Sequence, residues 1–172
     1  IGNFDGIHLG HQKLFKLALS YKKKHNSKIG VINFDPMPKM YFNNSLKNFK
    51  ISSVNQKLEL LKELKVDFII TKKFDRNFSK IKSIKFIKEI LYKKLNCKFI
   101  FVSNNFRFGN KREGDVQLLL QNEKNYNYKV IKPKPLLNSK KIVSSTIIRN
   151  LLEKGKLNRA NKFLGREWTI DG

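Results

Sequence analysis

Apolar residues along this chain recur at the helical spacing, then at the strand spacing, then at the helical spacing again, and that alternation narrows the choice of fold more than any other property. From Leu9 to about His25, Leu14, Leu17, Ala18 and Tyr21 fall at i, i+3, i+4 and i+7, which predicts an amphipathic helix with lysines outside. Residues 29–34 then read as a short buried strand. Ser53 stands where it can cap a helix that carries Val54, Leu58, Leu61 and Leu64 inward, and residues 67–71 form a second compact apolar strand. Ser83 precedes a helix with Ile84, Ile87, Leu91 and Leu95, leading into a strand at 98–102. A helix near 115–121, a strand near 128–131 and two short helices at about 146–153 and 156–164 complete the pattern. The expected fold is α/β, a Rossmann-like parallel sheet with helices on both faces. In such a sheet ligands bind beyond the carboxyl ends of the strands, so chemistry is sought there.

A chain of 172 residues, 40% hydrophobic, supplies one sizeable core and predicts one domain. Its formal charge of +24 raises nucleic acid or an anionic membrane as partners. The basic residues are 31 Lys and only 6 Arg, beside 19 Asn and 17 Ile, a skew that runs along the whole chain. It reads as compositional drift rather than a selected face, because Arg is the better reader of phosphates and bases. Neither nucleic acid nor a membrane is therefore the expected partner. A single cysteine, Cys97, excludes an internal disulfide framework and fits a reducing compartment. No apolar run approaches the ~20 residues that span a bilayer, and a cytoplasmic location is expected. The chain begins at Ile1 with residues that look like the end of a strand, so a piece of a longer polypeptide with a truncated first strand is expected.

Four segments carry the candidate chemistry. Gly2-Asn3-Phe4-Asp5-Gly6-Ile7-His8-Leu9-Gly10-His11 runs off a strand into the first helix. Its glycines permit close backbone approach to a bulky ligand, and the helix N-terminus offers free N–H groups to a phosphate. His8 and His11, three apart, share one side of the first turn, and both can donate hydrogen bonds to phosphate oxygens. An Asx-type turn followed by two solvated histidines is the plainer alternative. In Ser144-Ser145-Thr146-Ile147-Ile148-Arg149, a serine can cap a second helix with Arg149 one turn beyond Ser145, so hydroxyls and guanidinium converge as a polyphosphate cradle. Taken alone, it is an ordinary capped helix. Ser103-Asn104-Asn105-Phe106-Arg107-Phe108-Gly109, followed by Lys111-Arg112-Glu113-Gly114, offers aromatic faces and a cation to a flat heterocycle and an anionic group, or else anchors a loop in the core. Asp35-Pro36-Met37-Pro38 stiffens a strand exit and can wall a pocket.

In this order the segments resemble the prokaryotic FAD synthases, the FMN adenylyltransferase module of bifunctional riboflavin kinase/FAD synthetases. His8-Leu9-Gly10-His11 is similar to the H-x-G-H element of the nucleotidyltransferase superfamily. The F-x-P-x-P at 34–38, the F-R-F-G at 106–109 and the S-S-T-x-x-R at 144–149 narrow the match, and residues 164–172 are similar to the junction where the kinase barrel begins. The resemblance implies a nucleotidyltransferase-type domain over 1–164, with 165–172 leading to a riboflavin kinase domain in the parent chain. It implies ATP and FMN as substrates, Mg²⁺ with the ATP, and FAD and pyrophosphate as products. His8 and His11 would then be catalytic, steadying charge on the α-phosphate. Gly2, Asn3, Phe4, Asp5, Gly6, Gly10, Ser145, Thr146 and Arg149 would bind ATP, and Pro36, Pro38, Asn105, Phe106, Arg107 and Phe108 would bind FMN. Met37 stands where the family usually has His, Ser103 where Gly is common and Asn105 where Asp is frequent. Two rivals remain: another H-x-G-H nucleotidyltransferase with a different phosphate acceptor, and a basic nucleic-acid-binding module.

Overall fold

Most of the longer helices start at a side chain that satisfies the otherwise free N–H groups of a first turn. In the computed structural model of the chain, which describes residues 1–46, 49–138 and 141–170, α1 covers Leu9–His25 and is capped by His8. β1 (Gly30–Asp35) and a short α2 (Pro38–Phe42), with Pro38 in its first turn, come next. Ser53 opens α3 (Val54–Glu63) through a capping box, its hydroxyl accepting the Gln56 N–H while the Gln56 side chain accepts the Ser53 N–H. β2 (Phe68–Lys73), α4 (Arg76–Ser79) and α5 (Ser83–Lys85) follow, and α5 continues as a π-helix over Phe86–Lys94. After β3 (Phe99–Phe101), β4 (Arg107–Phe108) and β5 (Gly114–Asp115) make a small hairpin, and Asp115 caps α6 (Val116–Gln121). β6 (Lys129–Ile131), the pair β7 (Leu137–Asn138) and β8 (Lys141–Ile142), α7 (Ser145–Glu153), capped by Ser144, and α8 (Leu157–Leu164) complete the order.

The fold is α/β, as the alternation predicts. β1 pairs with β2 in parallel over six rungs, and β3 with β6 in parallel over three. Ile1 and Gly2 lie between these pairs: the Gly2 N–H donates to the Ile32 carbonyl at 3.1 Å and the Ile1 amine to the Phe101 carbonyl at 3.3 Å. The spatial order is therefore β2, β1, residues 1–2, β3, β6. Towards the amino ends of β1 and β3 the two pairs part around an apolar cavity of about 380 Å³, lined by residues such as Leu14, Ala18, Val31 and Phe99. It lies away from the strand ends where chemistry is expected.

Three clusters form the core. The largest joins Phe86, Ile87 and Leu91 of the π-helix to β3, β6 and α6. A second packs α7 and α8 around Ile51, and a third sets Phe4, Ile7 and Phe15 against Val31 and Leu61. Two apolar residues expected to face inward do not. Ile84 is 44% exposed, because hydrogen bonds of the i→i−5 kind, such as Leu95 N–H to the Ile90 carbonyl at 3.0 Å, widen the turns after it and bring Phe86, Ile87 and Leu91 to the core side. Val54 is 39% exposed at the outer end of α3, while Lys57 and Leu61 form the buried face. Cys97 is a free, partly buried thiol whose pKa burial pushes up. Among the described residues no helix is long and apolar enough to cross a membrane.

Candidate active site

The loop before α1 is built on backbone conformations that side chains rarely adopt. Phe4 (φ 48°), Gly6 (φ 76°) and Ile7 (φ 40°) all lie in the left-handed region, and for a β-branched residue such as Ile7 this costs on the order of 1–3 kcal/mol. Burial over-determines the geometry, since Phe4 and Ile7 are core residues. A Cβ on Gly6 would come within 2.8 Å of Ile51 Cγ2, so both the space and the φ there require glycine. At Gly10 the close neighbours are the His8 ring and the Val143 carbonyl, at 3.1 and 3.3 Å from a Cβ, so this glycine lets α1 start against the segment that leads to α7.

His8 and His11 meet as the spacing predicts. Their rings stack at 3.7 Å and 17°, and His8 Nδ1 accepts the His11 N–H at 3.3 Å. Burial, reinforced by nearby Arg149, lowers the His8 pKa to about 4. Burial and then the neighbouring His8 hold His11 well below its ordinary value. Both imidazoles are neutral at pH 7. Because Nδ1 of His8 accepts, its hydrogen resides on Nε2, which leaves that atom as a donor. The second ring sits edge-on to Phe4 at 5.2 Å, and its Nδ1 is buried with no hydrogen-bond partner. Asn3 Oδ1, in the same loop, and Asn33 Oδ1, near the carboxyl end of β1, are buried and unpartnered too. Such orphaned atoms mark a place where a polar ligand or ordered water completes the structure.

Asp5 gathers the remaining parts. Its buried carboxylate accepts the Ile51 N–H at 3.0 and 3.1 Å, the Ser52 N–H at 3.4 Å and Arg149 Nη2 at 2.7 Å. The Asp5 carbonyl accepts the Ser145 hydroxyl at 2.9 Å, and Ser52 Oγ accepts the Gly6 N–H. Arg149 is held on a second side by the Phe49 carbonyl at 2.8 Å, with its guanidinium 3.8 Å above the Phe49 ring. Hydroxyl and guanidinium of α7 thus converge, as expected, but on Asp5. The starts of α1 and α7 are tied together, and Asp5 is saturated by internal partners. Arg149 keeps Nη1 free of these bonds. Thr146 is exposed beside it.

The other expected residues lie elsewhere. Gly2 serves the sheet and the Phe4 side chain the core. Pro36 is exposed after a cis Asp35–Pro36 bond, Pro38 begins α2, and Met37 is buried. Asn105 is exposed and accepts the Ser103 hydroxyl at 2.9 Å. Phe106 stacks on Phe108 at 5.5 Å, Phe108 packs into the core against Phe86, and Arg107 pairs with Asp115 at 3.1 Å. Asn105, Phe106 and Arg107 line an open cleft of about 710 Å³ with Arg112, Lys132 and Lys134; its lining does not include Pro36, Pro38 or Phe108. The sequence reading passes over Phe49, Ile51, Ser52 and Lys57. Lys57 is buried beside Asp5, and desolvation lowers its pKa. Only its place on the inward face of α3 hinted at it. Among the described residues no group of three or more His, Cys, Asp or Glu could hold a metal ion.

Comparison with known proteins identifies the family. The profile of the FAD synthetase family matches residues 1–147. A bifunctional riboflavin kinase/FMN adenylyltransferase of Buchnera aphidicola from Schizaphis graminum is 43% identical over the whole chain, which spans 55% of that protein. An FAD synthetase of Listeria monocytogenes is 32% identical, with all of this chain covering 70% of it. A crystal structure described as a macrolide-efflux protein from Streptococcus pneumoniae superposes on the whole chain and 59% of its own, at a TM-score of 0.85 and 28% identity. The chain spans about half the length of the bifunctional relative and covers its FAD synthetase part. With the family profile running from the 2–11 motif to residue 147, in the first turn of α7, the chain belongs to the FAD synthetase family.

Proposed function

We propose that the chain transfers the AMP moiety of ATP to FMN, giving FAD and pyrophosphate, and that the longer polypeptide is also a riboflavin kinase, the second activity in its relatives' names. The observation that carries the reading is the joining of two helix starts at Asp5, which sets the neutral His8–His11 pair and Arg149 around one place. An FMN phosphate oxygen attacks the α-phosphorus of ATP as the bond to the bridging oxygen of the β-phosphate breaks. Pyrophosphate leaves with that electron pair, and no residue of the protein is adenylylated. Such a transfer needs positioning and fixed donors rather than a nucleophile.

His8 and His11 donate hydrogen bonds to the α-phosphate oxygens, and their neutrality makes them aimed dipoles rather than ion partners. Arg149, steadied by Asp5 and Phe49, offers its free Nη1 to the β- and γ-phosphates, beside Ser145, Thr146 and the backbone of residues 2–6 and 10. Mg²⁺ enters as part of the nucleotide substrate, because the described side chains offer no cage for it. Phe106 provides an aromatic face for the flavin, with Asn105 and Arg107 at the rim of the same cleft, which Pro36 and Pro38 do not line. Nothing in this cradle favours the efflux activity that the pneumococcal protein's name carries. The test is direct: chain, FMN, ATP and Mg²⁺ are incubated and FAD and pyrophosphate are measured. Folded protein that yields neither refutes the reading.

A further inference from the structure

Trp168, in the segment after α8, joins a hydrogen-bonded path that ends at Arg149. Its indole Nε1–H donates to the Ile51 carbonyl at 2.7 Å. The N–H of that same peptide group, on Ser52, points to Asp5 Oδ1 at 3.4 Å, and the Ile51 N–H reaches both Asp5 oxygens at 3.0 and 3.1 Å. Asp5 in turn holds Arg149 Nη2 at 2.7 Å. The donor end is itself fixed. The Trp168 N–H donates to Asn161 Oδ1 at 2.9 Å, and Gln56 Nε2 reaches the carbonyl of the next residue, Thr169, at 3.1 Å. The Trp168 ring packs on the cluster of α7, α8 and Ile51, so the path also has an apolar backing.

We propose that Trp168 is a positioning residue for the phosphate cradle: by fixing the Ile51–Ser52 peptide it fixes the Asp5 carboxylate, and through it the guanidinium of Arg149. The physical reasons are two. A peptide whose carbonyl accepts a strong hydrogen bond is a better donor at its N–H, so the path strengthens along its length. And Asp5, closed in by N–H donors on one side, presents Oδ2 to Arg149 in one orientation, so the guanidinium is pre-ordered before nucleotide arrives. The segment that carries the chain on past α8 is thereby coupled to the site, and an anion drawing on Arg149 is felt at the indole. This rests on the reading of Arg149 as a phosphate ligand.

The test uses Trp168→Phe, which keeps an aromatic ring in the packing and removes only the indole and its N–H. The loss of one hydrogen bond of ordinary strength corresponds to a roughly threefold to tenfold rise in KM for ATP. KM for FMN is expected to stay within twofold, whereas a general loss of structure raises both. A second readout follows from composition, since Trp168 is the only tryptophan of the chain. Titrating the parent with inorganic pyrophosphate, with binding followed by calorimetry, is expected to shift its emission, and Asp5→Asn is expected to abolish the shift. Equal KM values for ATP in parent and Trp168→Phe, or pyrophosphate that binds without changing the emission, overturn the proposal even if FAD is made. A parent that makes no FAD but shows the emission shift loses the adenylylation reading and keeps the path. A parent that neither makes FAD nor binds pyrophosphate loses both.

Discussion

Lowering the pH from 7 to 5 should destabilise the folded chain, and His8 sets much of the slope. The ring is neutral in the fold down to about pH 4, whereas in the unfolded chain it takes up a proton near 6.5. Above 6.5 both states are neutral and the fold keeps its full stability. Between 6.5 and 4 the unfolded state binds the proton that the fold refuses, so stability falls as pH falls, and below 4 the slope ends. At pH 5 this amounts to about 2 kcal/mol relative to pH 7 for His8. His11 adds to it with the same sign. Asp67 and Glu123 have carboxyls held below their ordinary values by hydrogen bonds to Lys22 and to the Val130 backbone respectively, so their contributions fade mainly below this window. The assay is urea unfolding at pH 7 and pH 5 for the parent and for His8→Asn, whose side chain keeps a helix cap but does not titrate. The parent should lose about 2 kcal/mol more than the variant over that interval. A flat parent, or a variant with the parent's full slope, would show that the stacked rings are not held neutral.

Three further outcomes follow. Arg149→Ala removes one partner of a buried ion pair and should cost about 3–5 kcal/mol of unfolding free energy, read by the same denaturation, together with most of the affinity for ATP. A loss under 1 kcal/mol would mean that Asp5 is satisfied by Ile51 and Ser52 alone. His11→Ala should lower kcat for FAD formation at least tenfold with KM for ATP nearly unchanged, whereas equal effects on both would assign it to ground-state binding. Phe106→Ala should raise KM for FMN roughly fivefold to tenfold through the lost ring contact, and an unchanged KM would remove the flavin from that cleft.

Periodicity located the elements whose stability is local. Leu14, Leu17, Ala18 and Tyr21 placed α1, and Ser53 and the serine pair at 144–145 marked starts where caps are found, because capping and amphipathic spacing act within a few residues; the cap at Asp115 was not read. The two hairpins at 107–115 and 137–142 escaped, since two-residue strands carry no period. The π-helix escaped because Ile84, Ile87, Leu91 and Leu95 satisfy an α-helical pattern equally well on paper. In the site, the histidine stacking follows from i, i+3 spacing. Asp5 as a hub could not be read, because its partners are distant in sequence: 51 and 52 carry no motif, and the motif that holds Arg149 does not say what the guanidinium pairs with. The bifunctional relatives and the FAD synthetase profile bear out the family, while the role of each residue awaits the substitutions above.

The seam between the two strand pairs leads directly into the site. Gly2 bonds to β1 and Ile1 to β3, and one apolar cluster holds Ile32 with Ile100 and Val130, so the two strand pairs are coupled across this seam. Gly2 is also the first residue of the loop that carries Asn3, Asp5 and His8. A nucleotide that orders this loop therefore draws the seam tight, and the protection spreads backward through the molecule. Amide hydrogens of β1 and β3, remote from any phosphate, would exchange more slowly in the liganded protein, by the same binding energy that fills the site.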